Sequence, residues 1–338
     1  MQTFIQNIPK AELHVHLEGT LEPELSFSLA AKNGVDLDYK TPEELIAAYD
    51  FYDLPSFLKI YYAAMNVLVD EDDFYQLTYA YLKKASEQNT IYAELFFDPQ
   101  AHTSRGVSFD TVITGIHNAQ VAAEQNLGIK SQLILCFLRD MSAESAMEHL
   151  ELAFPYQDWI VGVGLDSDER NNPPIKFAKV FAKAKEKGLK LTMHCDVNQL
   201  NTLVHIEQCI EQIEVDRIDH GVNALESEML CSLIKNKNLG LTVCPVSNQF
   251  VVQSLTSNEV HDMLEKDLLV TINSDDPAYF RAYLNENLLA LQKEGDFSQA
   301  QIITLVENAF KVAWLDEDLK QAYLDKVTAY VVESEDLV

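Results

Sequence analysis

Short, almost wholly apolar runs alternate with longer stretches of helical periodicity from one end of the chain to the other. The runs fall at 11–16, 91–97, 132–138, 160–165, 189–194, 217–220, 240–243 and 268–273. Short runs without polar alternation are the pattern of strands buried on both faces, as in a parallel sheet. Between them, stretches such as 176–187 and 226–238 carry apolar residues at three- and four-residue spacing, which predicts amphipathic helices. About eight such alternations in 338 residues predict an α/β fold, a (β/α)8 TIM barrel formed as a single domain over 1–338. A doubly wound open sheet is the competing architecture. It is weakened because the chain has neither a GxGxxG turn nor a GxxxxGK[ST] loop. No repeat, low-complexity tract or Pro/Gly/Ser linker divides the chain.

One interval breaks the rhythm. Residues 21–90, after the first strand, are too many for one crossover helix and predict a helical insertion of several. In a barrel, an insertion after a strand sits at the catalytic mouth, so part of it is expected to act as a lid. Its aromatics (Phe51-Tyr52, Phe57, Tyr61-Tyr62, Phe74-Tyr75, Tyr79, Tyr81) are expected mainly as helix core.

Polar residues of one chemical kind end several of the apolar runs. His14 and His16 close the first, and side chains two apart on a strand share a face. His194 closes the fifth, His220 the sixth, and Asp275-Asp276 follow the eighth. Strand ends of this kind are where barrel active sites are built. Imidazoles and a carboxylate form a donor set suited to zinc, with iron and manganese as alternatives. A metal there would lower the pKa of a water far enough to make it a nucleophile near neutrality. The fourth run, Gly162-Val163-Gly164-Leu165-Asp166, contains no lysine that could bridge two metals, so one metal per chain is expected.

Charge narrows the partners. With 25 Lys+Arg against 53 Asp+Glu the formal charge is −28, which disfavours nucleic acid polymers and anionic membranes. A neutral base or nucleoside remains compatible. The opening Met1-Gln2-Thr3-Phe4 meets Pro9 and Lys10 without the apolar run of a signal peptide, and no apolar stretch reaches membrane-spanning length. Cys136, Cys195, Cys209, Cys231 and Cys244 lack CxxC spacing and are expected as small apolar filler, in a reducing cytoplasm.

The runs Pro9-Lys10-Ala11-Glu12-Leu13-His14-Val15-His16-Leu17-Glu18-Gly19, Arg217-Ile218-Asp219-His220-Gly221, Cys244-Pro245-Val246-Ser247-Asn248 and Thr271-Ile272-Asn273-Ser274-Asp275-Asp276-Pro277 resemble the adenosine/adenine deaminase family, in the family's order. The resemblance implies zinc held by His14, His16, His194 and Asp275. It implies that His220 orients and deprotonates the attacking water, and that Asp276 assists that water or holds the purine. The reaction implied is addition of hydroxide at C6 of a 6-aminopurine and loss of ammonia. Glu94-Leu95-Phe96-Phe97-Asp98-Pro99-Gln100, with His102 and Arg105-Gly106-Val107, is similar to the adenine-specific branch. So is Gly162-Val163-Gly164-Leu165-Asp166-Ser167, which makes Gly164, Asp166 and Ser167 expected substrate contacts. Nucleoside deaminases usually carry Asp at the place of Glu18. The longer carboxylate is expected to reach into ribose space and favour adenine, converted to hypoxanthine. The implied partner is thus a purine base or nucleoside. Oligomeric state stays open.

The chain departs from the family at one place. The fifth-strand histidine is normally followed by Ala-Gly-Glu, whose glutamate protonates ring nitrogen N1. Here His194-Cys195-Asp196-Val197 puts valine at that position. Asp196, two residues beyond His194, is the expected substitute acid. Deamination of adenosine or another amino-heterocycle, or a metal-binding barrel with little deaminase activity, are the other readings.

Overall fold

Eight parallel strands follow one another around a barrel, β1 (Lys10–His16), β2 (Thr90–Phe97), β3 (Lys130–Leu138), β4 (Ile160–Asp166), β5 (Lys190–Cys195), β6 (Arg217–His220), β7 (Gly240–Val243) and β8 (Leu269–Ile272). The computed structural model describes residues 1–51 and 53–335. Every residue of β1, β6 and β7 is buried, as expected of strands covered on both faces. Each expected run forms a strand, with ends moved by one or two residues at most.

The ring is not uniform. β2, β3 and β4 pair over long registers, whereas β4 and β5 share only Gly162↔Lys190 and Val163↔Leu191. β8 returns to β1 through the single bridge Val15↔Asp275, with His16 N–H donating to Asp275 O at 2.9 Å and Asp275 N–H to His14 O at 3.1 Å. Inside the barrel, the Arg217 guanidinium meets Glu94 Oε2 at 2.6 Å and lies over the Trp314 ring.

The helical patterns settle with small corrections. The stretch 176–187 begins as a 3-10 turn, Pro174–Phe177, because the prolines remove amide donors. It continues as the α-helix Ala178–Glu186. The stretch 226–238 becomes Glu228–Asn236, capped by Ser227, whose side chain accepts from the Leu230 N–H.

The interval 21–90 forms the helices Pro23–Asn33, Pro42–Ala47, Leu54–Ala64 and Glu71–Glu87. Tyr52 lies outside the described residues. Leu45, Tyr49, Phe51, Phe57, Tyr61 and Met65 join Ala278, Tyr279 and Phe280 in an apolar cluster separate from the main core. The insertion therefore packs against the segment that follows β8. All five cysteines are buried and free, with Cys195 Sγ 3.7 Å from Cys209 Sγ. Among the described residues, no helix is long and apolar enough to cross a membrane.

Candidate active site

Three histidines from β1 and β5 aim their Nε2 atoms at one point. His16 Nε2 lies 3.1 Å from His194 Nε2 and 3.4 Å from Asp275 Oδ1. His14 Nε2 lies 3.2 Å from the same carboxylate oxygen. Each opposite ring nitrogen faces a fixing partner. His14 Nδ1 bonds Thr242 Oγ1 at 2.8 Å, His16 Nδ1 faces Asp166 Oδ2 at 3.4 Å, and His194 Nδ1 faces Asp219 Oδ2 at 3.4 Å. Such outer partners orient imidazoles as metal ligands.

The donor set fits a divalent cation. His14 Nε2 is buried without a hydrogen-bond partner, and His14, His16, His194 and Asp275 converge within the span of one ion's ligands. Burial drives His14 down to about 4 and His16 well below its usual value, so both offer lone pairs rather than protons. Burial also opposes a charge on His194, but the hydrogen bond and charge of Asp219 outweigh it and raise His194 to about 9. Metal binding would displace that proton. Asp275 resists burial through His14, His220 and His16, which hold its carboxyl well below the usual range.

The backbone explains how neighbours in sequence share one cavity. Successive strand residues normally face opposite sides. His220 (φ +56°), Asp275 (φ +65°) and Ser167 (φ +72°) adopt the left-handed region, uncommon for residues with a Cβ. The turn of the chain at His220 lets Asp219 support His194 while His220 itself faces the pocket. Asp275 and Asp276 line the pocket together for the same reason.

The cavity, about 620 Å³ including its open mouth, is lined by His16, His194, His220, Asp275 and Asp276 on the metal side. Asp98, Asp166, Ser167, Asp196 and Val197 form another wall, and Leu54, Phe57, Leu58, Tyr61 and Tyr62 of the insertion form the cover. Asp196 Oδ1 stands 3.4 Å from His220 Nε2, and burial raises the Asp196 carboxyl. Burial raises Asp276 well above its ordinary value, with the Asp275 and Asp166 charges adding to it. Asp166 is pushed up by burial to about 6.

Two expected contacts stand behind the wall instead of on it. Glu18 Oε1 accepts from the Asp98 N–H at 3.1 Å and meets His102 Nε2 at 2.8 Å, while its Oε2 is buried without a hydrogen-bond partner among the described residues. Glu18 braces Asp98 through that one oxygen and is not among the residues that line the cavity. Gly164 lies within β4, where a Cβ would meet Cys136 Sγ at 2.5 Å. Its lack of a side chain serves close strand packing.

Sequence reasoning did not single out Asp98, Asp219, Thr242 or Ser247 as site residues. Ser247 Oγ donates to Asp275 Oδ2 at 2.6 Å, and Thr242 Oγ1 to Asp219 Oδ1 at 3.0 Å. Asp98 follows β2 directly, the same strand-end signal that marks His16 and Asp275.

Gly19 makes a sharp prediction. A Cβ there would stand 2.1 Å from Asp276 Oδ1 and 2.8 Å from its Cα. Gly19→Ala must displace Asp276, so we expect a loss of stability of about 1–3 kcal/mol together with a fall in kcat. Thermal melts and steady-state rates measured on the same preparation would show both.

A parallel barrel whose mouth gathers three imidazoles and a carboxylate beside a fourth histidine defines the class, a hydrolase built to activate water on a metal. The family model described as adenosine deaminase matches residues 9–330, and the chain belongs to that family of hydrolytic deaminases. It is 47% identical over 331 residues to a deaminase of Schizosaccharomyces pombe, covering 98% of each chain. It is 46% identical to the adenine deaminase of Psychrobacter cryohalolentis, covering 97% of this chain and 98% of that one. The crystal structure of adenine deaminase from Arthrobacter aurescens superposes with a TM-score of 0.93 at 41% identity, covering 96% of this chain and 99% of that one.

Proposed function

We propose that this protein is a zinc-dependent adenine deaminase that converts adenine and water to hypoxanthine and ammonia, with one zinc per chain. The reading is carried by the convergence of His14, His16, His194 and Asp275 beside a cavity that also presents His220, Asp276 and Asp196. The names of the relatives in Psychrobacter and Arthrobacter support adenine as the substrate.

When held by these four residues, zinc supplies the Lewis acidity that makes water nucleophilic near neutral pH. His220, whose Nε2 faces Asp196 across 3.4 Å, takes the proton of the attacking water. Oxygen adds to C6 as Asp196 delivers a proton to ring nitrogen N1. His220 then passes the water's proton to the exocyclic nitrogen, the C6–N6 bond breaks, ammonia leaves, and the C6 hydroxyl returns a proton to Asp196 as the carbonyl of hypoxanthine forms. Asp276 holds the purine ring from the side of β8. Asp166 and Ser167 bound the cavity opposite, with Tyr62 O–H donating to Ser167 Oγ at 2.8 Å. The aromatic cover from the helix Leu54–Ala64 excludes water and acts as the lid.

The test is ammonia release by the zinc-loaded protein from adenine, adenosine and N6-substituted adenines side by side. We expect adenine to give the highest kcat/KM. Preference for adenosine would move the assignment to the nucleoside. Silence on every purine with zinc bound would leave a metal-binding barrel of another role.

A further inference from the structure

Behind the segment that departs from the family stands a buried pair of charges. Arg139, after β3, donates from Nη1 to His194 O at 2.9 Å. Glu169, in the loop after β4, accepts the Asp196 N–H on Oε2 at 2.9 Å. The carbonyl before Cys195 and the amide after it are therefore both anchored, each by a charged side chain from a different βα loop. Arg139 Nη1 also lies 3.5 Å from Glu169 Oε2, and its Nε donates to Asn172 O at 3.0 Å. Glu169 Oε1 meets His205 Nδ1 of the helix Thr202–Gln208. Arg139 is 0% exposed and Glu169 1% exposed.

A buried carboxylate that hydrogen-bonds an amide and an imidazole with a guanidinium 3.5 Å away is held rigidly, because charge-assisted hydrogen bonds are strong away from water. Cys195 between the anchors has its side chain packed against Cys209 and contributes no polar contact to the cavity. The carboxylate of Asp196 has His220 as its near ionic neighbour and depends on its own backbone for placement. We propose that Glu169 is a positioning residue for deamination. By fixing the Asp196 amide it holds the Asp196 carboxylate beside His220, where Val197 leaves the cavity wall without a proton-transferring group. This inference rests on Asp196 being the acid. It adds that an acid reaching the cavity from one residue earlier needs a dedicated anchor. A misplacement of about 1 Å at such a group costs on the order of 10² in rate.

The experiment is a double-mutant cycle on the zinc-loaded protein, reading kcat, KM and bound zinc with adenine. Glu169→Ala should lower kcat by about 10²-fold with KM and zinc content held. Glu169→Gln should keep most of the activity, since its carbonyl oxygen can still accept the Asp196 N–H. In an Asp196→Ala background, Glu169→Ala should cost no more than about twofold, because the residue it positions is gone. Glu169→Met, which fills the space without accepting a hydrogen bond, serves in the same cycle if the alanine variant does not fold. Additive losses in the two backgrounds, a change confined to KM, or loss of zinc would overturn the assignment. An Asp196→Ala protein as active as the parent would instead sink the reading of Asp196 itself, whatever Glu169 does.

Discussion

Asp196→Ala should bind zinc like the parent chain and deaminate adenine roughly 10²–10⁴-fold more slowly, the usual effect of losing a general acid. Asp196 lines the cavity with its oxygen 3.4 Å from His220 Nε2, whereas Val197, where the family's glutamate would stand, offers only methyl groups. Both residues face the same cavity, so the pair supports a rescue. Adding Val197→Glu to Asp196→Ala should recover part of the lost rate, since a carboxyl then returns to the family's position. KM should change less than kcat, because proton delivery is needed in the transition state more than in the bound complex. A single variant that keeps full kcat would remove Asp196 from the mechanism.

Chelation should abolish turnover, and about one equivalent of zinc should restore it. The four proposed ligands converge on a single point, and His14 Nε2 has no hydrogen-bond partner among the described residues. The residues behind the ligands matter nearly as much. Asp219 faces His194 Nδ1 and accepts from Thr242, which in turn fixes His14. Asp219→Ala should weaken zinc binding by about 10–100-fold, measured by competition with a chromogenic chelator. Undiminished turnover by metal-free protein would exclude the zinc reading, and a requirement for two equivalents would exclude the single-metal count.

Much of this centre is legible in the order of residues along the chain. The buried runs and their succession point to the barrel, because a strand covered on both faces leaves an apolar signature that loops and helices lack. The proposed ligands are legible because each is a polar residue ending such a run. What stays hidden does so for a backbone reason. Strict alternation sends Asp219 and His220 to opposite faces, and only the left-handed turn at His220 lets both serve the centre. Glu18 misleads differently. Its type and place suggest a substrate contact, but one carboxylate oxygen is held by Asp98 and His102, a pairing between residues far apart in sequence, and Glu18 is not among the residues that line the cavity. Glu169 and Arg139 carry no pattern at all, since their meaning lies in which peptide units they hold.

The thin seams of the barrel give the metal centre a second consequence. The strand ring is weakest where β8 meets β1 through one bridge and where β4 meets β5 over two residue pairs. The four proposed ligands come from β1, from β5 and from the segment directly after β8. An ion gripping all four acts as a rivet, joining the two edges of the first seam and pulling one lip of the second toward the opposite side of the ring. Filling the proposed centre would therefore close the cylinder as well as arm it, and heat resistance should rise with occupancy even in variants that have lost all turnover.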